Sequence, residues 1–147
     1  MRLPIAACLS IFMALPMPAQ SAEDMSMAAK SAVADIRARH GLPSLGTSAA
    51  LRQAAAAHAQ DMRTNGFFGH TGSDGSGIGD RARAQGYGFC FIAENIAKGQ
   101  GSLGQVIEDW MGSTGHRRNI LSEGAREFAV VRDEGNIWVM VLGRPGC

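Results

Sequence analysis

Residues 127–143 read EFAVVRDEGNIWVMVLG. The runs "EFAVV" and "NIWVMVLG" are rich in branched and aromatic residues, and Asp133 to Gly135 between them has turn chemistry. The stretch therefore predicts an antiparallel hairpin at the C-terminal end. Upstream, the periodic segments are helical, with one extended exception. Helices first and a hairpin last is the pattern of an α+β fold, in which helices cover an antiparallel sheet.

The helix nearest the hairpin has the clearest period. Leu103, Val106, Ile107, Trp110 and Met111 fall at i, i+3, i+4, i+7 and i+8, Ser102 and Gln105 suit a capping box, and Gly112 ends the run. The following "STGHRRNIL" reads as a short helical turn capped by Ser113. Before these lies the extended segment "GYGFCFIAENIA", residues 86–97. A short helix is expected over about Ile78 to Gln85, with Asp74 or Ser76 as N-cap. A longer one runs from about Ser48 to Thr64, with Leu51, Ala54, Ala55, His58 and Met62 on one stripe and Asn65-Gly66 at its end. The first runs from about Met25 to His40, where Gly41 supplies a left-handed cap and Pro43 forbids continuation. His40 is thus a last-turn helix residue without a function. His58 is read as a hydrogen-bonded core histidine and a spectator.

The chain has 147 residues, the length of one domain. Its start reads as a signal peptide over residues 1–21. Arg2 is a positive n-region, Ile5 to Leu15 is apolar but too short to span a membrane, and Ala19 and Ser21 are small residues before a cut. "IAAC" at Ile5 to Cys8 lies too near the start to serve as a lipoprotein box. Cleavage leaves a single domain over 22–147, about 126 residues, enough for a real core. This mature chain has no transmembrane segment and would be periplasmic or extracellular. Loss of Arg2 balances the charges, so no general attraction to nucleic acid or acidic membranes is expected. Cys90 and Cys147 remain, and an oxidising compartment makes their disulfide the natural pairing over two free thiols.

Several local chemistries are absent or weak. "GIGDRA" at residues 77–82 matches a dinucleotide fingerprint, yet no strand precedes it. There is no H-E-x-x-H and no C-x-x-C. "GSTG" at residues 112–115 is no nucleophile elbow, and Ser113 is better explained as a cap than as the partner of His116. Glu94 is more informative. In an extended segment it shares a face with Ile92 and Ile96, where a carboxylate needs a cation, a histidine, an amide or a metal, unless that face meets water. His70 and His116 each follow a glycine on a turn just beyond a helix, a setting where function concentrates but where ordinary loop residues also occur.

Four motifs join these pieces: "HAQDMRTNGFFGHTGSDGS", "DRARAQGY", "AENIAKG" and "DWMGSTGHRRNIL". In that order they resemble bacterial members of the CAP superfamily, which groups cysteine-rich secretory proteins, antigen five and pathogenesis-related protein one. The resemblance covers about Ala28 to Leu142. It implies an α-β-α sandwich with a small antiparallel sheet between helical layers. It also implies a cavity lined by His70, Glu94, Ser113 and His116, with His70, Glu94 and His116 as a ligand set for zinc or another divalent cation. Ser113 stands where many eukaryotic members carry a glutamate, which removes one carboxylate from the set. Phe67 or Phe68 would anchor His70. The function implied first is a binding module for a small or lipid-like ligand, and the alternative is a metal-dependent hydrolase using the same cavity. A structural role in the envelope comes third. No catalytic residue is assigned.

Overall fold

The computed structural model describes residues 21–147. The expected signal segment and Cys8 therefore lie outside the described residues, except for Ser21. Ten elements follow in order. They are β1 (Glu23–Asp24), α1 (Ser26–Ala38), β2 (Gly46–Thr47), α2 (Ala49–Asn65), α3 (Ile78–Ala84), β3 (Phe89–Lys98), α4 (Leu103–Gly112), α5 (Thr114–Ile120), β4 (Glu127–Asp133) and β5 (Ile137–Pro145).

The hairpin of β4 and β5 is the centre of the molecule. Glu127 pairs with Gly143 and Asp133 with Ile137, so the connection is Glu134 to Asn136. Gly135 and Asn136 both take positive φ there, at 75° and 56°. A three-residue loop ending in the left-handed region suits the twist of the strands. β5 also pairs with β3, giving the order β1-β4-β5-β3, with β2 joined in parallel to β4. The two-residue strands β1 and β2 have no pattern in the sequence.

The period of two divides the core. Phe128, Val130, Trp138, Met140 and Leu142 face one layer, built from α1, α4 and α5. Ala129, Val131, Ile137, Val139 and Val141 face the other, built from α2 and α3. This is the α-β-α sandwich. Trp110 and Trp138 are fully buried in the first layer, and truncating either to alanine costs about 3–5 kcal/mol. At Gly143 the strand passes so close to Tyr87 that a Cβ would sit 2.8 Å from its ring.

Several helix ends differ from expectation. α1 stops at Ala38, two residues early, because Gly41 and Leu42 turn back onto Ala38 and Arg37 carbonyls. The N-cap of α3 is Gly77, not Asp74 or Ser76. Asp80 supplies the capping carboxylate by accepting from the Gly77 N–H at 3.0 Å, and Asp74 instead closes a turn onto the Ser76 N–H. Ser102 caps α4 as expected, yet Gln105 reaches past it to the Gly101 N–H. Ser113 occupies the N-cap position of α5, but its hydroxyl makes no capping bond. What fixes α5 is Arg37, a fully buried cation that donates to the carbonyls of Pro43, Ile120 and Ser122 at 2.8, 2.8 and 2.9 Å. The Cys90–Cys147 disulfide is present, with Cα atoms 5.4 Å apart, and ties the C-terminal residue to the start of β3.

Candidate functional site

β3 runs between the two helical layers, and alternate side chains enter each. Ile92, Glu94 and Ile96 point toward α2 and α3, so the glutamate is carried into an apolar layer as its flanking isoleucines predict. Its side chain is 2 % exposed. Two partners offset that burial. His70 Nδ1 lies 2.9 Å from Oε1, and the Arg81 guanidinium lies 2.9 Å from Oε2. The partner of Glu94 that the sequence left open is therefore an arginine and a histidine together.

The turn bearing His70 is held from three sides. Arg81 donates to the His70 carbonyl at 3.0 Å and to the Ser76 carbonyl at 2.8 Å, spanning the loop between α2 and α3. His58 donates from Nε2 to the Gly69 carbonyl at 2.8 Å, and Glu94 takes the His70 ring. His58 is indeed a buried, hydrogen-bonded core histidine. It is no spectator, however, because its Nε2 also lies 3.8 Å from Glu94 Oε1. Burial holds its pKa below the ordinary histidine range, against the pull of Glu94, which raises it. A neutral His58 with Nε2 as donor leaves Nδ1 buried and without a partner. Phe67 packs against the core of this layer, whereas Phe68 is 48 % exposed, so Phe67 is the anchor.

His116 comes from the opposite layer, on α5. Its carbonyl accepts from Asn95 at 3.1 Å, and Asn119 on the same helix donates to the Glu94 carbonyl at 3.3 Å, which docks α5 against β3. Burial lowers the His116 pKa, and the nearness of His70 lowers it further. The two imidazoles are thus electrostatic neighbours. Phe68, Ser113 and His116 line a cleft of about 500 Å³, with Ile96, Ala97 and Trp110 as its apolar wall. Lys98, Gln100 and Asp109 close its other end. Glu94 lies behind His70 rather than on the cleft wall.

Of the sequence-derived residues, His70 and Glu94 are in contact at 2.9 Å, and His116 is linked to them by the electrostatic effect of His70 on its ring. Ser113 reaches the same cleft, beside His116. Arg81 and His58 were not foreseen as members. His70 gives Nδ1 to Glu94, which leaves Nε2 for a ligand or cation, while both Glu94 oxygens are engaged. Among the described residues, no group of three or more His, Cys, Asp and Glu side chains is set to hold a metal ion. Glu94 holds the His70 ring from behind through Nδ1, the way carboxylates orient metal-bound histidines. A separate apolar groove of about 470 Å³ lies between α1 and α4, lined by Ala32, Ile36, Ile107 and Met111, with Arg39 and Arg117 at its rim. No described helix is long and apolar enough to cross a membrane.

Known proteins resemble this chain in sequence and in fold. A protein of Bacillus subtilis, the uncharacterized protein YkwD, is 34 % identical over 103 residues, covering 69 % of this chain and 40 % of its own. The uncharacterized membrane protein YlbC of the same organism is 31 % identical over 95 residues, covering 65 % of this chain and 28 % of its own. The chain thus spans less than half the length of these curated relatives. An extracellular protein of Bacillus anthracis with an SCP domain superposes with a TM-score of 0.77 at 28 % identity, over 81 % of this chain and 40 % of that one. An outer surface protein of Borrelia burgdorferi shares the fold, with a TM-score of 0.73 at 21 % identity, over 82 % of this chain and 92 % of its own. The CAP family model matches residues 30–141, and the chain accordingly belongs to CAP, the cysteine-rich secretory protein family.

Proposed function

We propose that this chain is an exported binding module, and that the cleft lined by Phe68, Ser113 and His116 takes a small ligand. The observation that carries this reading is a cleft of about 500 Å³ with an apolar wall and the His116 imidazole in its lining, close enough to His70 for the two rings to interact electrostatically. Ligand sites typically have volumes of about 300–1,000 Å³, with mostly apolar walls and a few placed polar groups. A divalent cation such as zinc would bind at the imidazole pair and supply an attachment point for an anionic or carbonyl group of the ligand. Two neutral imidazoles make a weak site, in which the remaining positions belong to water or ligand. The export reading rests on residues 1–21 and on the extracellular or surface nature stated for two structural neighbours.

The hydrolase alternative draws less support. Glu94 is committed to Arg81 and His70, which leaves it poorly placed as a general base. A lipid-like ligand is a second reading, favoured by the groove between α1 and α4, whose wall is mostly hydrocarbon and whose polar lining is Arg39, His40, Glu108 and Arg117.

The test is calorimetric and spectrometric. The mature protein should bind zinc weakly, with one site lost in both His70→Ala and His116→Ala. Unchanged zinc binding in both variants would reject the cation site. Native mass spectrometry of the purified protein should show a co-purifying ligand that a cleft-filling change, Ala97→Trp, displaces. Retention of that ligand by the variant moves the binding site to the second groove. Metal-dependent cleavage of a peptide or ester library, lost in Glu94→Gln, would replace the binding reading with the hydrolase.

A further inference from the structure

β3 is the outer strand of the sheet, and its hydrogen bonds show which of its backbone groups face outward. Gly99, just past the strand, donates to the Asn136 carbonyl at 2.9 Å, so the odd-numbered positions around it turn toward β5. The even-numbered positions turn away. There the Glu94 carbonyl accepts from the Asn119 side chain at 3.3 Å and the Ile96 carbonyl from the Trp110 indole at 3.3 Å. By the same alternation, the N–H of Ile96 and both backbone groups of Lys98 face the open side, where no strand follows among the described residues.

The cleft opens at this edge. It touches Ile96, Ala97 and Lys98, and because the Ile96 side chain packs into the layer of α2, what Ile96 offers the cleft is backbone. Gln100 adds a second unpaired group. Its Nε2 donates to Asp109 Oδ2 at 2.9 Å, which fixes the orientation of the amide and leaves Oε1 buried without a partner. A buried acceptor of this kind is costly to leave unpaired. Phe68, 48 % exposed, stands over the same space.

We propose that the cleft takes an extended peptide segment of another protein, which adds to the free edge of β3 at Ile96–Lys98 as a short strand. This deepens the reading of the cleft as a ligand site and rests on it. Open strand edges are templates for pairing, and strand addition draws its affinity from main-chain hydrogen bonds and its specificity from alternate side chains. With a rise of about 3.3 Å per residue, two or three peptide residues span the free edge. An apolar side chain lies against Phe68 and Trp110, and Lys98, Gln100 and Asp109 meet polar neighbours at the rim. A hydrocarbon ligand would fill the apolar wall and leave the backbone groups and Gln100 unpaired.

The experiment uses the disulfide-intact mature protein, with acetylated hexapeptide amides that alternate leucine or valine with threonine. In ¹⁵N–¹H spectra these peptides should shift the amides of Ile96 and Lys98 and the side-chain amide of Gln100. N-methylation at alternate peptide positions should weaken binding about tenfold or more in one parity and leave it unchanged in the other. Gln100→Leu should weaken it by about tenfold, the loss of one hydrogen bond. Peptides that leave the Ile96 and Lys98 amides unmoved at millimolar concentration, or equal binding by both N-methylated series, overturn the proposal. Zinc ions serve as the second probe. If zinc shifts His70 and His116 while the peptides shift nothing, the peptide inference fails and the ligand-site reading survives. If neither probe acts at the cleft, both fail.

Discussion

The buried ring of His58 donates to the carbonyl oxygen of Gly69 across 2.8 Å, one residue before His70. A helix in the core thereby sets the position of the turn that carries His70. The network of His58, Arg81, Glu94 and His70 is a preorganising frame, because each backbone carbonyl of the turn that it touches is held from the interior.

Replacing His58 with phenylalanine keeps most of the packing and removes the donor. The Gly69 carbonyl then loses its partner, and stability should fall by about 1–3 kcal/mol. Urea unfolding measures this, and an unchanged midpoint refutes the role given to the bond.

The same residue predicts a pH dependence. Its folded pKa lies below the ordinary value of 6.5, because burial disfavours the charged ring. The unfolded chain therefore binds a proton that the folded chain refuses, and stability rises with pH through this window. Stability should be fully present above about pH 7 and be lost progressively as pH falls below 6.5 toward the depressed folded value. His116 adds to the slope with the same sign. Unfolding curves at several pH values, compared between wild type and His58→Gln, isolate the His58 share, since glutamine does not titrate. Equal slopes in the two proteins would contradict it.

Glu94 and Arg81 form a buried ion pair at 2.9 Å, with side chains 2 % and 8 % exposed. Removing one partner strands the other charge, at a cost of about 3–5 kcal/mol. Glu94→Ala and Arg81→Ala should each unfold at clearly lower denaturant. The double variant Glu94→Met with Arg81→Leu should recover much of the loss, since no uncompensated charge remains. Additive losses in a double-mutant cycle would show that the pair does not act as a unit.

The disulfide closes a separation of 57 residues. Chain-entropy arguments put its stabilisation at about 4 kcal/mol, less any strain. Cys147→Ser should lower stability toward that extent, and a thiol titration of unfolded, unreduced wild type should find none in residues 22–147. Two reactive thiols there would refute the bridge in the exported protein.

The frame of the molecule was legible because it repeats. Alternation in residues 127–143 and the stripe of Val106, Ile107 and Trp110 are periodic signals that packing later uses without change. Glu94 was legible for a different reason, since a carboxylate between two isoleucines demands a partner. The identity of that partner was not, because Arg81 lies on a seven-residue helix and meets Glu94 only through tertiary folding. His58 was read correctly as core, but nothing local tells a core histidine from one that touches a site residue. His70 and His116 stood out only through the family motifs, as their local settings are those of ordinary turns. β1 and β2 are too short to carry a period, and Ser113 sits at a cap position without using its hydroxyl.

His70 and His116, carried by opposite layers, are electrostatic neighbours. The most direct measurement is the NMR titration of the His116 ring in wild type and in His70→Gln. Burial and the neighbouring imidazole both lower the His116 pKa in the folded protein. Removing the His70 ring should therefore move the His116 midpoint upward, leaving it still below the ordinary histidine value because burial persists. A His116 midpoint that does not move would place the two rings apart and contradict the account.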